Sequence, residues 1–346
     1  MCILLASKKA LNYPVDMFKK FSLPFFLMTA AVAQVHAVPF KLFKEPQYEM
    51  TVEALLVQRK GVAKHVLAVD QNQASQNCGC PDGTVLTTTQ VMNEFDWEPG
   101  LRAAFSYMPN EQRALEVSLS WINDWDGEKT VKTGSLSYPF DLSFHTTDYA
   151  SATRVEAHYS SHLWDAEINY WGQYSGRGAD YFSFSAILGA RGFYLGEHFK
   201  TAYTTPPDVS TYWTMTKNRI LGVQIGGNLQ WNPVRHWSWE ITTKGAIMGN
   251  WSWADTWLGD VNNAVVLSST TGSTLSCTYL LDGDLHLFYH HNKTSISLGY
   301  RMLGLWGVAL APNQLRTFEN GGHSNRVHDG GHAYYHIISL GFNFLF

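Results

Sequence analysis

The sequence predicts an all-β fold, a transmembrane antiparallel up-and-down β-barrel of about 12 strands, within roughly 10 to 14. Composition, a period-two alternation and the final strand point to it. Charged residues make up 16% of the 346 positions and aromatic residues 14%, whereas chains surrounded by water carry roughly 25% charged residues. Something less polar than water must face much of the surface. Yet the longest apolar stretch, Phe21 to Ala33, is shorter than the ~18 residues of a spanning helix. A barrel reconciles the two, because alternate residues of each strand meet hydrocarbon and a polar interior.

Taken in order, the chain opens with an export address. Lys19 and Lys20 precede the apolar run from Phe21 to Ala33, and Val35-His36-Ala37 supplies small residues for cleavage after Ala37. Residues 1–37 therefore read as a signal peptide, with Met17 as a possible true start. Residues 38–46 form a short N-terminal segment, and 47–346 a single barrel without repeat or linker. The leader carries four Lys and one Asp, a net +3, so its removal takes the charge from −4 to −7. That excess of negative charge excludes nucleic acid as a partner. Once Cys2 is removed with the leader, Cys78, Cys80 and Cys277 remain, and an odd count makes a poor disulfide framework. Cys78-Gly79-Cys80 lacks the further ligands of a metal site.

Alternation at period two recurs after residue 46. Weaker candidate strands lie near 48–57, 100–108 and 113–122. Val155, Ala157 and Tyr159 share a face opposite Arg154, Glu156 and His158. Ala166, Ile168, Tyr170 and Tyr174 oppose Glu167, Asn169 and Gln173. Phe182, Phe184, Ala186, Leu188 and Ala190 oppose Ser183, Ser185 and Arg191. Leu221, Val223, Ile225, Leu229 and Trp231 oppose Gln224, Asn228 and Gln230, with Arg219 out of keeping on the apolar face, as a snorkelling side chain or a bulge. Trp237, Trp239 and Ile241 oppose Glu240, Thr242 and Lys244. Leu281, Leu285 and Leu287 oppose Asp282, Asp284 and His286, and Leu298, Tyr300 and Met302 oppose Ser297 and Arg301. Stretches rich in Gly, Asn, Asp and Ser at 59–98, 123–151, 197–213, 254–273 and 313–331 read as long outward loops. Pro109-Asn110-Glu111, Asn232-Pro233 and His291-Asn292-Lys293 read as tight periplasmic turns.

The last strand is the most specific feature. Tyr334, His336, Ile338, Leu340, Phe342, Phe344 and Phe346 form one nearly apolar face. In a water-soluble fold such an edge would invite aggregation, whereas a barrel pairs it with the first strand and turns its aromatics to lipid. The run from Ser339 to Phe346, with Ser339, Gly341, Phe344 and Phe346 at its marked places, resembles the C-terminal β-signal of bacterial outer-membrane proteins. That resemblance implies the barrel-assembly machinery as a partner. Three interior segments, Tyr159 to Asn169, Asn218 to Gly226, and Gly299 to Leu303 followed by Gly307 to Gln314, are similar to the uncharacterised outer-membrane group called the seventh beta-barrel porin family. Lys244-Gly245-Ala246 with Gly249-Asn250 also fits. This implies an outer-membrane barrel of porin type in a Gram-negative envelope and brings no catalytic residue.

The interior is expected to be lined by Arg154, Glu156, Glu167, Arg191, Glu240, Lys244, Asp284 and Arg301. Such mixed charges either line a water-filled pore or pair across a closed interior; the pore, passing small solutes, is the first expectation, and a non-conducting structural or adhesive barrel the second. Trp231, Trp237, Trp239, Trp251, Trp253 and Trp257 read as girdles at the lipid interface, in preference to a sugar platform. His323, His328, His332 and His336 with Asp329 lack metal spacing, and Asp124-Trp125-Asp126-Gly127 lacks the later ligands of a calcium loop. No nucleophile elbow or phosphate loop is legible. The expectation is therefore no enzyme, no cofactor and no metal, with outer-membrane lipid as partner and the oligomeric state open between monomer and trimer.

Overall fold

A computed structural model describes residues 46–72, 83–110, 112–140, 142, 147–174, 181–234, 236–259, 266–321 and 325–346. The leader, Cys78, Cys80 and His323 lie outside the described residues. The strands are β1 (Gln47–Lys60), β2 (Val66–Asp70), β3 (Thr84–Thr87), β4 (Glu98–Asn110), β5 (Arg113–Ser137), β6 (Ala152–Tyr174), β7 (Phe182–Thr205), β8 (Asp208–Val234), β9 (Trp237–Gly259), β10 (Val266–His291), β11 (Thr294–Val308) and β12 (Gly331–Leu345). A short helix α1 (Thr88–Met92) follows β3, and a 3-10 helix (Ala311–Gly321) lies between β11 and β12.

All twelve strands belong to one antiparallel sheet, as predicted. β12 pairs with β1 from Glu49↔Leu345 to Lys60↔Tyr334, and β5 pairs with both β4 and β6. The ring thus closes with ten strands, while β2 and β3 hang from the far end of β5 through Val69↔Ser137 and Asp70↔Leu136. Closure leaves no unpaired edge around the ring, the condition for strands to cross hydrocarbon. The β10–β11 turn is tight, as expected; Asn292 takes φ 53° there, a backbone region that asparagine tolerates better than most residues.

Outward residues of the final strand behave as anticipated: Phe342, Phe344 and Phe346 are 47%, 47% and 59% exposed, while Ser339, Gly341 and Asn343 turn inward. Two aromatic levels mark the band. Near the short turns, Tyr48 stacks with Phe346 and Phe105, Phe182 stacks with Trp231, and Trp237 meets Tyr289 at 5.1 Å. Higher up, Trp121, Trp164, Tyr194, Arg219 and Trp251 are successive cross-strand partners. By the rule that short turns face the periplasm, the second level is the outer one.

The structure corrects the predicted loops. Residues 123–137, 197–205, 208–213, 254–259 and 266–273 continue the strands, so β5 to β10 run 23 to 27 residues. A tilted membrane strand needs only about 9–11. Their Gly, Ser, Thr and Asp content marks a wall standing in water, not a change of backbone. Within that wall the sidedness of the pattern inverts. From Arg154 to Tyr170 β6 keeps one phase, with even positions outward. In its lower half Trp164, Ile168 and Tyr170 face lipid and Asp165, Glu167 and Asn169 face inward; in its upper half Val155, Ala157 and Tyr159 are buried. Arg154 and Glu156 therefore lie on the outer face, their side chains 43% and 37% exposed. They are not lumen residues, because above the membrane the outside is wet and the inside must be the apolar core.

β1, β4, β11 and β12 are only 13 to 15 residues long. The described parts of the segments that join them, 61–72 with 83–97 and 309–321 with 325–330, fold over this low side into the cup made by the high wall. Leu67, Ala68, Leu86, Val91 and Phe95 from the first, and Leu310, Leu315 and Phe318 from the second, form one core with Trp125, Tyr159, Phe199, Tyr203 and Tyr212 of the wall. α1 presses so closely that a Cβ on Gly127 would stand 2.7 Å from the Val91 carbonyl oxygen.

Because the medium outside the strands changes with height, position decides the cost of a charge. Val223, 66% exposed in the apolar band, should lose about 2–4 kcal/mol on Val223→Arg. Thr271→Arg, on the outer face of the β10 wall, should change stability by less than about 0.5 kcal/mol. Urea unfolding in phospholipid vesicles checks both.

Candidate functional site: the barrel interior

The interior has three levels. The lowest carries Glu240 on β9 and Asp284 and His286 on β10, with His286 Nε2 2.8 Å from Asp284 Oδ1. Thr242 donates to Glu240 at 3.4 Å and receives the Asn228 amide at 2.8 Å. Both predicted carboxylates, Glu240 and Asp284, are interior residues of this level.

The middle level joins Glu167, Arg191, Lys244 and Arg301, four of the predicted residues. Arg191 forks onto Asp165 at 2.9 and 2.6 Å and reaches Asp282 at 2.7 Å. Arg301 forks onto Asp282 at 2.8 and 2.5 Å and meets Glu167 at 3.3 Å. Lys244 donates to Glu167 at 2.6 Å, and the amides of Gln224 and Asn169 reach the same oxygen at 3.0 and 3.1 Å. Three cations face three anions, so the cluster is neutral. Both arginines bind carboxylates through two parallel bonds, a geometry that fixes orientation as well as charge. Glu167 on β6 and Arg301 on β11 stand five places apart in the ring of ten, so their contact spans its diameter. A second interior pair, Arg102 with Glu53 at 3.0 Å, ties β4 to β1.

The highest level is the aromatic core already described, and its polar groups hold the second inserted segment by its backbone. Gly307, at φ 85°, turns the chain inward at the end of β11, where a Cβ would strike the Cys277 carbonyl oxygen. Asn218 then clamps Ala309 through both its carbonyl and its N–H, each at 2.8 Å. Thr278 and Asn250 donate to the Gly307 carbonyl at 2.8 and 3.2 Å. The Ala311 N–H donates to Glu197 at 2.7 Å, and the Tyr212 hydroxyl to the Leu315 carbonyl. Gln314 closes the return of the segment, donating to the His328 carbonyl at 2.7 Å and accepting its N–H at 2.9 Å. Glu197 is also the ion-pair partner of Arg59, a fully buried guanidinium beside the rings of Phe95 and Tyr159. One carboxylate thus links β1, β7 and the inserted chain.

Sequence reasoning missed Arg59, Asp165, Glu197, Asn218, Asp282 and Gln314 as site residues. Asp165 and Asp282 carried a usable signal, since each shares the inward phase of a residue that was chosen, Glu167 and Asp284. Glu197 and Gln314 carried none, lying in stretches read as loops. Among the other candidates, Asp126 contacts His158 Nε2 at 2.7 Å on the outer face of the wall while Trp125 is core. His332 and His336 alternate with inward residues on β12, and Tyr300 and His336 are hydrogen-bonded at 2.7 Å on the outer face.

No protein-family model matches the chain, so the likeness to the seventh beta-barrel porin family rests on the quoted segments alone. No curated sequence matches it either. Among solved structures, the chain is similar to the outer membrane protease OmpT from Escherichia coli, with 9% identity, 89% of this chain and 99% of that chain covered, and a TM-score of 0.45. It is also similar to the TodX deltaS2S3 mutant monoaromatic hydrocarbon channel, with 8% identity, 86% and 90% covered and a TM-score of 0.24. A third is the Ralstonia pickettii toluene transporter TbuX, with 10% identity, 87% and 90% covered and a TM-score of 0.21. These likenesses carry nothing about activity. The closed ring and its lipid-facing aromatic levels make the chain an outer-membrane β-barrel.

The middle level gives a stability prediction. Replacing Arg191 by leucine strips Asp165 of its forked partner and leaves three buried carboxylates facing two cations, which should cost about 3–5 kcal/mol. The checking measurement is the urea midpoint of the variant refolded in vesicles.

Proposed function

We propose that the protein is an outer-membrane barrel closed at rest, whose lumen passes small solutes when the inserted segment 309–321 withdraws. The observation that carries this reading is the construction of the mouth. The closing element is a separate segment between two short strands, tied to the wall by its backbone, and removing it would break no strand pairing of the ring. Beneath it lies a neutral lattice of six charges lined by amides, a surface that water can solvate once admitted. Lipid around the barrel and the assembly machinery that reads Ser339, Gly341, Phe344 and Phe346 are partners under the same reading. It assigns no reaction to the chain, since Asp165, Glu167 and Asp282 are all engaged by cations.

A second reading, a non-conducting barrel acting through its surface, draws support from one observation: the contact of Arg301 with Glu167 crosses the full diameter. Planar-bilayer recording separates the two. The intact protein should insert without steady current. Replacing residues 311–328 by a short Gly-Ser link should give persistent channels, and adding Arg301→Ala should enlarge them. Silence from both folded variants, with heat-modifiable gel mobility retained, rejects the channel reading in favour of the second.

A further inference from the structure

The outer face of the barrel carries a hollow that the interior does not explain. Two adjacent cross-strand rows build it. In the upper row Trp121, Trp164, Tyr194, Arg219 and Trp251 stand side by side; in the row below, Leu119 is followed by Ala166, Gly192, Leu221 and Gly249. Small residues under large rings leave a trough of about 590 Å³ on the lipid face. Backbone geometry does not demand the glycine at its floor: a Cβ on Gly192 would meet its nearest neighbours at an ordinary 3.5 Å.

Charge is placed at the upper rim. Arg219 and Lys217 both point outward from β8, two residues apart on one face, and neither forms an ion pair with a described residue. No register shift lies near Arg219, so it is no bulge. Its guanidinium lies 5.1 Å from the Trp253 ring, one row up from the trough. The side chain thus rises to the interface, as a long cationic side chain does at a lipid boundary.

We propose that this trough is a specific site for an anionic lipid of the outer leaflet, one saturated acyl chain lying over Ala166 and Gly192 and a phosphorylated head group held by Lys217 and Arg219. Charge complementarity selects this occupant. A purely apolar partner would leave two unpaired cations at its edge, and a zwitterionic lipid would set its own cation against them. Phosphate oxygens satisfy both.

The test uses the full-length barrel in detergent, offered equal amounts of dipalmitoyl phosphatidylglycerol and dipalmitoyl phosphatidylcholine, with retained lipid counted by native mass spectrometry. The two probes share acyl chains and differ in head-group charge. The native protein should retain the anionic lipid in about thirtyfold excess, from two interfacial cations. The double variant Lys217→Gln with Arg219→Gln should lose that preference, and Gly192→Leu should reduce retention of the lipid itself. Ala166→Leu serves in its place if Gly192→Leu loses heat-modifiable mobility. Equal retention of the two lipids, a preference that survives the double variant, or displacement of the lipid by inorganic phosphate would each overturn the proposal.

Discussion

Every backbone N–H and C=O that enters hydrocarbon must find its partner inside the protein, because lipid offers none and each unpaired group costs several kcal/mol. In this chain that demand is met at one seam, where β1 runs antiparallel to β12 over twelve paired positions. The Tyr48 and Phe346 backbones bond to each other at 3.0 and 2.9 Å, carrying the ladder to its lower end. Once the ring is closed, the two faces of each strand are free to answer to different media. Lipid meets the leucines, valines and tryptophans, and the charges at membrane depth gather in the interior.

Height then decides what the inside must be. Within the bilayer the interior is polar and solves its own electrostatics: three carboxylates and three cations from five strands pair so that no buried charge is left alone. Burying such groups is expensive, and excellent geometry with added hydrogen bonds offsets the expense. Above the bilayer, where six long strands stand in water, the same ladder encloses an apolar core and turns Arg154, Glu156 and His158 outward. The two halves of one strand obey opposite patterns without any change of phase.

This reversal explains what could and could not be read in advance. The lipid-facing rows of β7 to β12 were legible because their alternation is strong and one-sided. Arg154 and Glu156 were misplaced because alternation reports which residues share a face and not which face is inside; only the level of the membrane decides that. Strand lengths were underestimated because a wall exposed to water uses the same Gly, Ser, Thr and Asp as a loop. The cross-lumen pairs were out of reach for a different reason. Arg191 and Asp282 are 91 positions apart, and Arg301 and Glu167 are 134 apart. Such meetings depend on ring size and register, which no local pattern encodes.

The way the inserted segment is held has an energetic corollary. Asn218, Glu197 and Tyr212 make bonds to its main chain rather than to side chains. If the segment moves out, all three lose those partners, and incoming water must replace them. Under the proposed function such an opening would be an act of hydration governed by the chemical potential of water: concentrated excluded osmolytes would hold the mouth shut, and dilution would ease it apart.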